Sequence, residues 1–200
     1  MARDTAEGPG ALQRQKQQVT VDALVEAARR GMTEHGLDVT VEEIAALAGV
    51  GRRTVFRHFA TREDLLHAAL DRAFASYVDA LPAYDGGDWL AWLTQLALVS
   101  HEALAGAGLL MWQLRTRRVS RRLVERPGRL RREFMAIAET LWQAAGGAGV
   151  APPELRRAVG AHLSPMFTQA VLFDAEGSPA LAAELATDAI AATVRRLLNP

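Results

Sequence analysis

The chain has 200 residues, half of them hydrophobic, which is enough for one or two compact domains with real cores and excludes a disordered or fibrous chain. Lys+Arg and Asp+Glu both number 23, so the formal net charge is zero, and the absence of cysteine excludes disulfides, thiolate metal sites and thiol nucleophiles. The opening MARDTAEGPG lacks the apolar core of a secretory leader, so a cytoplasmic protein is expected.

Alanine supplies 38 residues, and apolar positions recur at three and four rather than at two, which predicts an all-α fold without strands. Residues 1–18 read as a flexible polar tail. Thr20 then stands where it can cap a helix whose apolar face is Val21, Leu24, Val25, Ala28 and Met32 and which stops at Gly36. Gly31 inside that helix costs about 1 kcal/mol relative to Ala. Thr40 and Glu43 form the capping box of a short helix to about Ala48, which Gly49 ends. A third helix spans about residues 51–59, and Thr61 with Asp64 opens a fourth that lasts to near Pro82.

Further on, Asp88 caps a predicted helix to about Leu104, and residues 109–115 form another. Pro127 begins a long one that ends near Gly146. Pro152 or Pro153 starts the next, which Pro165 is expected to kink by removing the bond to the Ala161 carbonyl. Ser178 and Pro179 open the last helix, to Leu198. Residues 89–114 hold one formal charge, Glu102, which divides them into apolar runs too short to cross a bilayer, so no membrane span is expected.

The neutral total hides two basic islands. Residues 52–62 carry four Arg and no acid, and residues 111–132 carry nine Arg against one acid, Glu125. The first island coincides with the most informative stretch, TVEEIAALAGVGRRTVFRHF at residues 40–59. Here Ile44, Ala45, Leu47 and Val50 face Val55 and Phe59, so two helices too short to persist alone lock together as a helix-turn-helix. On a 100° wheel the opposite face of the second helix is Arg53, Thr54 and Arg57, with Arg52 free at its start. Arg donates a planar fork to guanine O6 and N7 in the major groove, and Thr serves a base edge or a phosphate. The helix starts at Thr40 and Thr61 present backbone amides to phosphate. Spacing alone fits equally a helical hairpin with a solvated basic face.

Residues 24–65 resemble the DNA-binding domain of TetR-family transcriptional regulators. The likeness runs through Ala27-Ala28, the helix end from Glu34 to Gly36, Thr40 to Ala45, Ala48-Gly49-Val50, Thr54, Arg57-His58-Phe59 and Thr61 to Leu65. It implies a dimer with a DNA-binding domain over residues 19–66, a connecting helix to about residue 81, and a ligand-binding and dimerisation domain over residues 67–200. It also implies binding of double-stranded operator DNA and repression relieved by a small molecule. By position, Arg52, Arg53 and Thr54 read bases, while Thr40, His58 and Arg62 hold the DNA backbone. Gly51 stands where the family usually has a capping Ser. Phe56 stands where Tyr is usual, losing a hydroxyl but keeping a ring able to touch a thymine methyl, and Gly31 replaces an aliphatic residue.

The C-terminal half holds all four tryptophans, Trp89, Trp92, Trp112 and Trp142, with Met111, Phe134, Met166 and Phe167. Together they suit an apolar cavity in which Gln113, His101, His162 and Gln169 supply polar groups, and its ligand is expected to be uncharged or weakly anionic. His101 and His162 lack a partner at i+3 or i+4, so no metal or other cofactor is expected. No catalytic motif is present either, and an enzyme is not expected. The last helix is apolar around most of its circumference at Leu181, Leu185, Ile190, Val194, Leu197 and Leu198, which predicts cover both by its own domain and by a second copy of the chain.

Overall fold

The computed structural model describes residues 9–106 and 127–199. Every regular element among them is helical. The chain divides into two compact units, Met1–Phe74 and Ala75–Pro200, with the boundary inside a helix. No helix among the described residues is long and apolar enough to cross a membrane.

The first unit contains α1 (Pro9–His35), a 3₁₀ turn (Gly36–Asp38), α2 (Val41–Leu47), α3 (Arg52–His58) and most of α4 (Arg62–Ala80). Helix α1 begins at Pro9, not at Thr20, so residues 9–18 are helical and not the flexible tail that their polarity suggests. Pro presets the first helical φ, and after Gly10 the Ala, Leu, Gln, Arg and Lys that follow are all good helix formers with nothing among them to stop the helix. Thr20 is consequently no cap: its hydroxyl donates to the Lys16 carbonyl one turn back, at 3.0 Å. Gly36, at φ +61°, ends the helix as expected.

Packing explains Gly31. A Cβ there would lie 2.6 Å from Cγ2 of Val39, which is fully buried, so the glycine lets the strap between α1 and α2 close onto α1. Arg62 fastens the same strap from below, its Nε donating to the Val39 carbonyl at 2.7 Å and its Nη2 to the Leu37 carbonyl. Around it, Leu24, Ala28, Met32, Ile44, Val55, Leu65 and Leu66 form the core of the unit.

The second unit contains α5 (Trp89–Ala105), α6 (Pro127–Ala144), α7 (Pro153–His162), α8 (Pro165–Gln169) and α9 (Pro179–Leu198). Helix α9 packs along α5 and α7, and α6 packs on α7. The predicted caps are in place, Asp88 accepting from the Leu90 amide and Ser178 from the Leu181 amide. The predicted helix at residues 109–115 lies outside the described residues.

Pro165 breaks the chain rather than kinking it. Ser164 adopts extended backbone, caps α8 through the Phe167 amide at 3.2 Å, and donates its hydroxyl to the Ala161 carbonyl at 2.7 Å. The carbonyl that proline cannot serve is thus satisfied locally, and the helix restarts at low cost. Helix α8 then widens into a π-helical turn, Ala170–Asp174.

Two of these contacts can be tested by substitution. Arg62→Ala leaves two carbonyls of the strap without their charged donor and should cost about 1–3 kcal/mol, read as a lower unfolding midpoint in urea. Gly147 lies against the Trp142 indole, with a built Cβ only 2.1 Å from its Cε2. Gly147→Ala should therefore destabilise by about 1–3 kcal/mol, with a changed near-ultraviolet circular dichroism signal from Trp142.

Candidate nucleic-acid interface and candidate ligand site

Helices α2 and α3 have seven residues each. The Thr40–Glu43 box is complete: the Glu43 amide donates to Thr40 Oγ1 at 3.2 Å, and the Thr40 amide donates to Glu43 Oε2 at 2.7 Å. The Thr40 amide, joined by the Thr40 hydroxyl donating to the same oxygen, holds the Glu43 carboxyl below its ordinary range. Between the helices Gly49 takes φ +67°, and the Val50 amide closes back on the Ala45 carbonyl at 3.0 Å. Gly51 caps α3 with extended backbone and no side-chain bond, as a glycine must. Ile44 and Val55 are buried across this turn. Leu47, expected between the helices, is 36% exposed and lies beside Gly31, with its carbonyl accepting from Arg30 at 3.2 Å.

The outward face of α3 is basic. Arg52, Arg53, Phe56 and Arg57 are exposed, and Thr54 is partly exposed. Among the described residues no acid pairs with Arg53 or Arg57. Arg52 is held differently, its Nη1 2.7 Å from Glu42 Oε1 and its guanidinium carbon 5.3 Å above the Phe56 ring centroid. That bridge ties the first turn of α2 to the first turn of α3.

Three residues expected at the DNA backbone are placed with other partners or surroundings. The Arg62 guanidinium is spent on the Leu37 and Val39 carbonyls, with Glu63 at 3.6 Å. His58 has its Nε2 buried without a hydrogen-bond partner, and the Thr40 hydroxyl donates to Glu43 Oε2 at 2.8 Å. A partner 23 residues away, as for Arg62 and Val39, leaves no trace in local spacing.

Among the described residues of the second unit, the aromatic side chains take several different positions. Trp92 and Trp142 are core, and each indole N–H donates to a carbonyl, Pro82 at 2.9 Å and Ala148 at 3.0 Å. Trp92 also packs against Tyr84, with ring centroids 5.2 Å apart. Phe134 is buried in the same core, Trp89 packs on its edge, and Met166 is 38% exposed. Met111, Trp112 and Gln113 lie outside the described residues, as do positions 115–126 of the second basic island. Of that island Arg131 and Arg132 are seen, both exposed on α6.

Three of the expected residues do meet. His101 is fully buried on α5, its ring centroid 5.8 Å from that of Phe167, and His162 approaches the same Phe167 ring at 5.1 Å. His101 Nδ1 lies 2.8 Å from Thr168 Oγ1. Burial, with the positive charge that His162 can carry, draws the His101 pKa down to about 4, so the ring is neutral at pH 7. Gln169, also buried, donates through Nε2 to the Leu104 carbonyl at 3.2 Å. A separate open cleft of about 600 Å³ lies between α6 and α7, where Leu130, Phe134, Met135 and Pro153 face Arg131, Arg156 and Arg157. Of its lining, sequence reasoning points only to Phe134 as a ligand contact, because Arg-rich helix faces read as solvated surface.

Residues 24–69 match the sequence profile described as bacterial regulatory proteins, tetR family. TcmR of Streptomyces glaucescens, an HTH-type transcriptional regulator, is 39% identical over 85 residues, a stretch that covers 40% of this chain and 37% of TcmR. The chain thus spans little over a third of that relative. A tetR-family regulator from Streptomyces coelicolor superposes with a TM-score of 0.68 at 19% identity, covering 92% of this chain and 89% of that one. EbrR, a multidrug binding protein complexed with imidazole, superposes at 0.54 with 26% identity over 95% and 97% of the two chains. Residues 24–69, with the helix-turn-helix and its caps, are thus similar to the N-terminal part of tetR-family bacterial regulatory proteins, and the helical unit that follows shares the fold of such a regulator.

Proposed function

We propose that the protein is a repressor that binds a two-fold operator as a homodimer and leaves it when a small, largely apolar molecule occupies the C-terminal unit. The observation that carries the DNA half is the outward face of α3. Arg53 and Arg57 are exposed there with no acid to hold them among the described residues, on a helix whose other face is locked into a core. A charged fork on a rigid short helix is what reading of guanine in the major groove requires. We read Arg53, Thr54 and Arg57 as base readers and Phe56 as the contact to a thymine methyl. Arg52 can join them by releasing Glu42. Arg62 we read as an internal brace in place of a phosphate contact, and Thr40 as offering phosphate no more than the capped start of α2.

Dimerisation is supported by apolar surface at the end of the chain. Phe173 is 69% exposed, Leu185 45% and Leu181 37%, while Ile190 and Val194 are buried within their own unit. Helix α9 has more apolar surface than one chain covers, though less than its sequence implies, because α5 and α7 take one side of it. The switch is supported by connectivity. Helix α4 runs unbroken from the DNA-binding unit into the second, so a ligand that prefers one placement of α4 also biases the spacing of two recognition helices, which must match half-sites about 34 Å apart. EbrR's description as a multidrug binding protein is consistent with that reading.

Arg53→Ala should cost about 1–3 kcal/mol on the cognate operator, read by gel retardation, and relax preference at one base pair in each half-site. Equal losses on operator and random DNA would remove it as a reader. Leu185→Glu should sediment as a folded monomer and lose operator affinity, whereas a wild-type protein monomeric at micromolar concentration would sink the dimer.

A further inference from the structure

Among the described residues of the second unit, three buried side-chain atoms have no hydrogen-bond partner: Thr187 Oγ1 on α9, His101 Nε2 and Gln169 Oε1. Both core indoles, in contrast, reach carbonyls, and the Tyr77 hydroxyl meets Ser100 Oγ at 2.8 Å. His101 and Gln169 both lie where α8 packs against α5. Gln169 follows Thr168, which contacts His101, and Gln169 reaches the Leu104 carbonyl, one turn beyond His101 on α5.

The chemistry of the two open atoms follows from the bonds their residues already make. The Thr168 hydroxyl lies 3.3 Å from the Ser164 carbonyl and 2.8 Å from His101 Nδ1; when it donates to the carbonyl it accepts from His101, and the imidazole proton sits on Nδ1. His101 Nε2 is then a bare lone pair. Gln169 uses its amide N–H on Leu104, so its open atom is a carbonyl oxygen. In that tautomer both open atoms are acceptors, each costly to leave unmet in an apolar core.

We propose that His101 Nε2 and Gln169 Oε1 form the polar end of an effector site, and that its ligand is a neutral aromatic molecule carrying hydroxyl donors, of the phenol or enol class. The proposal rests on reading the chain as an effector-responsive regulator and names the chemistry of that effector. A carboxylate or ether brings only acceptors and leaves both atoms unmet. A cation brings donors, but no carboxylate is buried among the described residues of this unit to balance it. The Phe167 ring, close to both His101 and His162, supplies an aromatic wall, and partial exposure of Phe167 and His162 gives the cluster a route to solvent. The π-helical turn directly after Gln169 is a distortion of the kind found at binding sites.

The test uses the full chain and two matched probes, a dihydroxynaphthalene and its dimethoxy ether, titrated by calorimetry. The diol should bind one per chain, and the ether about tenfold more weakly or worse, as loss of one or two buried hydrogen bonds demands. His101→Phe and Gln169→Met should each shrink that preference. Equal affinities of the two probes for the wild-type chain would overturn the proposal. So would absence of diol binding, which would mean that an internal water alone serves these atoms. Operator release is followed separately by fluorescence anisotropy. Diol binding that leaves the operator complex intact supports the acceptor site while removing the effector reading, and release by diol and ether alike does the reverse.

Discussion

Seven residues make two turns, and helices of that length do not persist in water, so α2 and α3 exist only because Ile44 and Val55 are buried in a shared core. The rest of the N-terminal unit serves that burial. Gly31 lets Val39 sit hard against α1, Arg62 holds the strap at Leu37 and Val39, and the Thr40–Glu43 box starts α2 at a defined residue. With one face of α3 fixed in this way, the other presents its arginines at fixed angles. A flexible basic segment would bring the same charge without the register that base reading needs.

The C-terminal unit answers a different demand. Its core is built from alanine-rich and aromatic faces of α5, α6, α7 and α9, and its tryptophans Trp92 and Trp142 are tied by their N–H groups to nearby turns. Such indoles are fixed pins, poorly suited to yielding space. Polar side chains enter the interior elsewhere, where His101, Phe167, Thr168 and Gln169 meet beside a broken helix. Pro165 and Ser164 matter here because the break they create sets the turn of α8 that carries Thr168 and Gln169 to α5.

Features made by neighbouring residues are legible in the sequence. The caps at Thr40, Thr61, Asp88 and Ser178 hold, as does the role of Gly36 and Gly49 at positive φ, because a cap or a left-handed turn is made within four residues of chain. The exposed face of α3 is legible for the same reason, since a helical wheel needs only the sequence of one helix. The start of α1 is not. Thr20 has the look of a cap, while the polar run that precedes it, able to form helix, offers no apolar stripe to reveal it.

What the sequence determined by itself is the helical class, the helix-turn-helix and its basic outer face, each set by periodicity and short-range hydrogen bonding. What only the tertiary structure decided is the use of each side chain whose partner comes from another part of the fold. Arg62 is a brace because two carbonyls lie above it, Ile190 is core because α5 and α7 cover it, and Trp92 and Trp142 are pins because loop carbonyls meet their N–H groups. The physical reason is common to all of them. Desolvation and hydrogen-bond satisfaction depend on which surfaces come together in space, and a residue's type says only what it will need once they do.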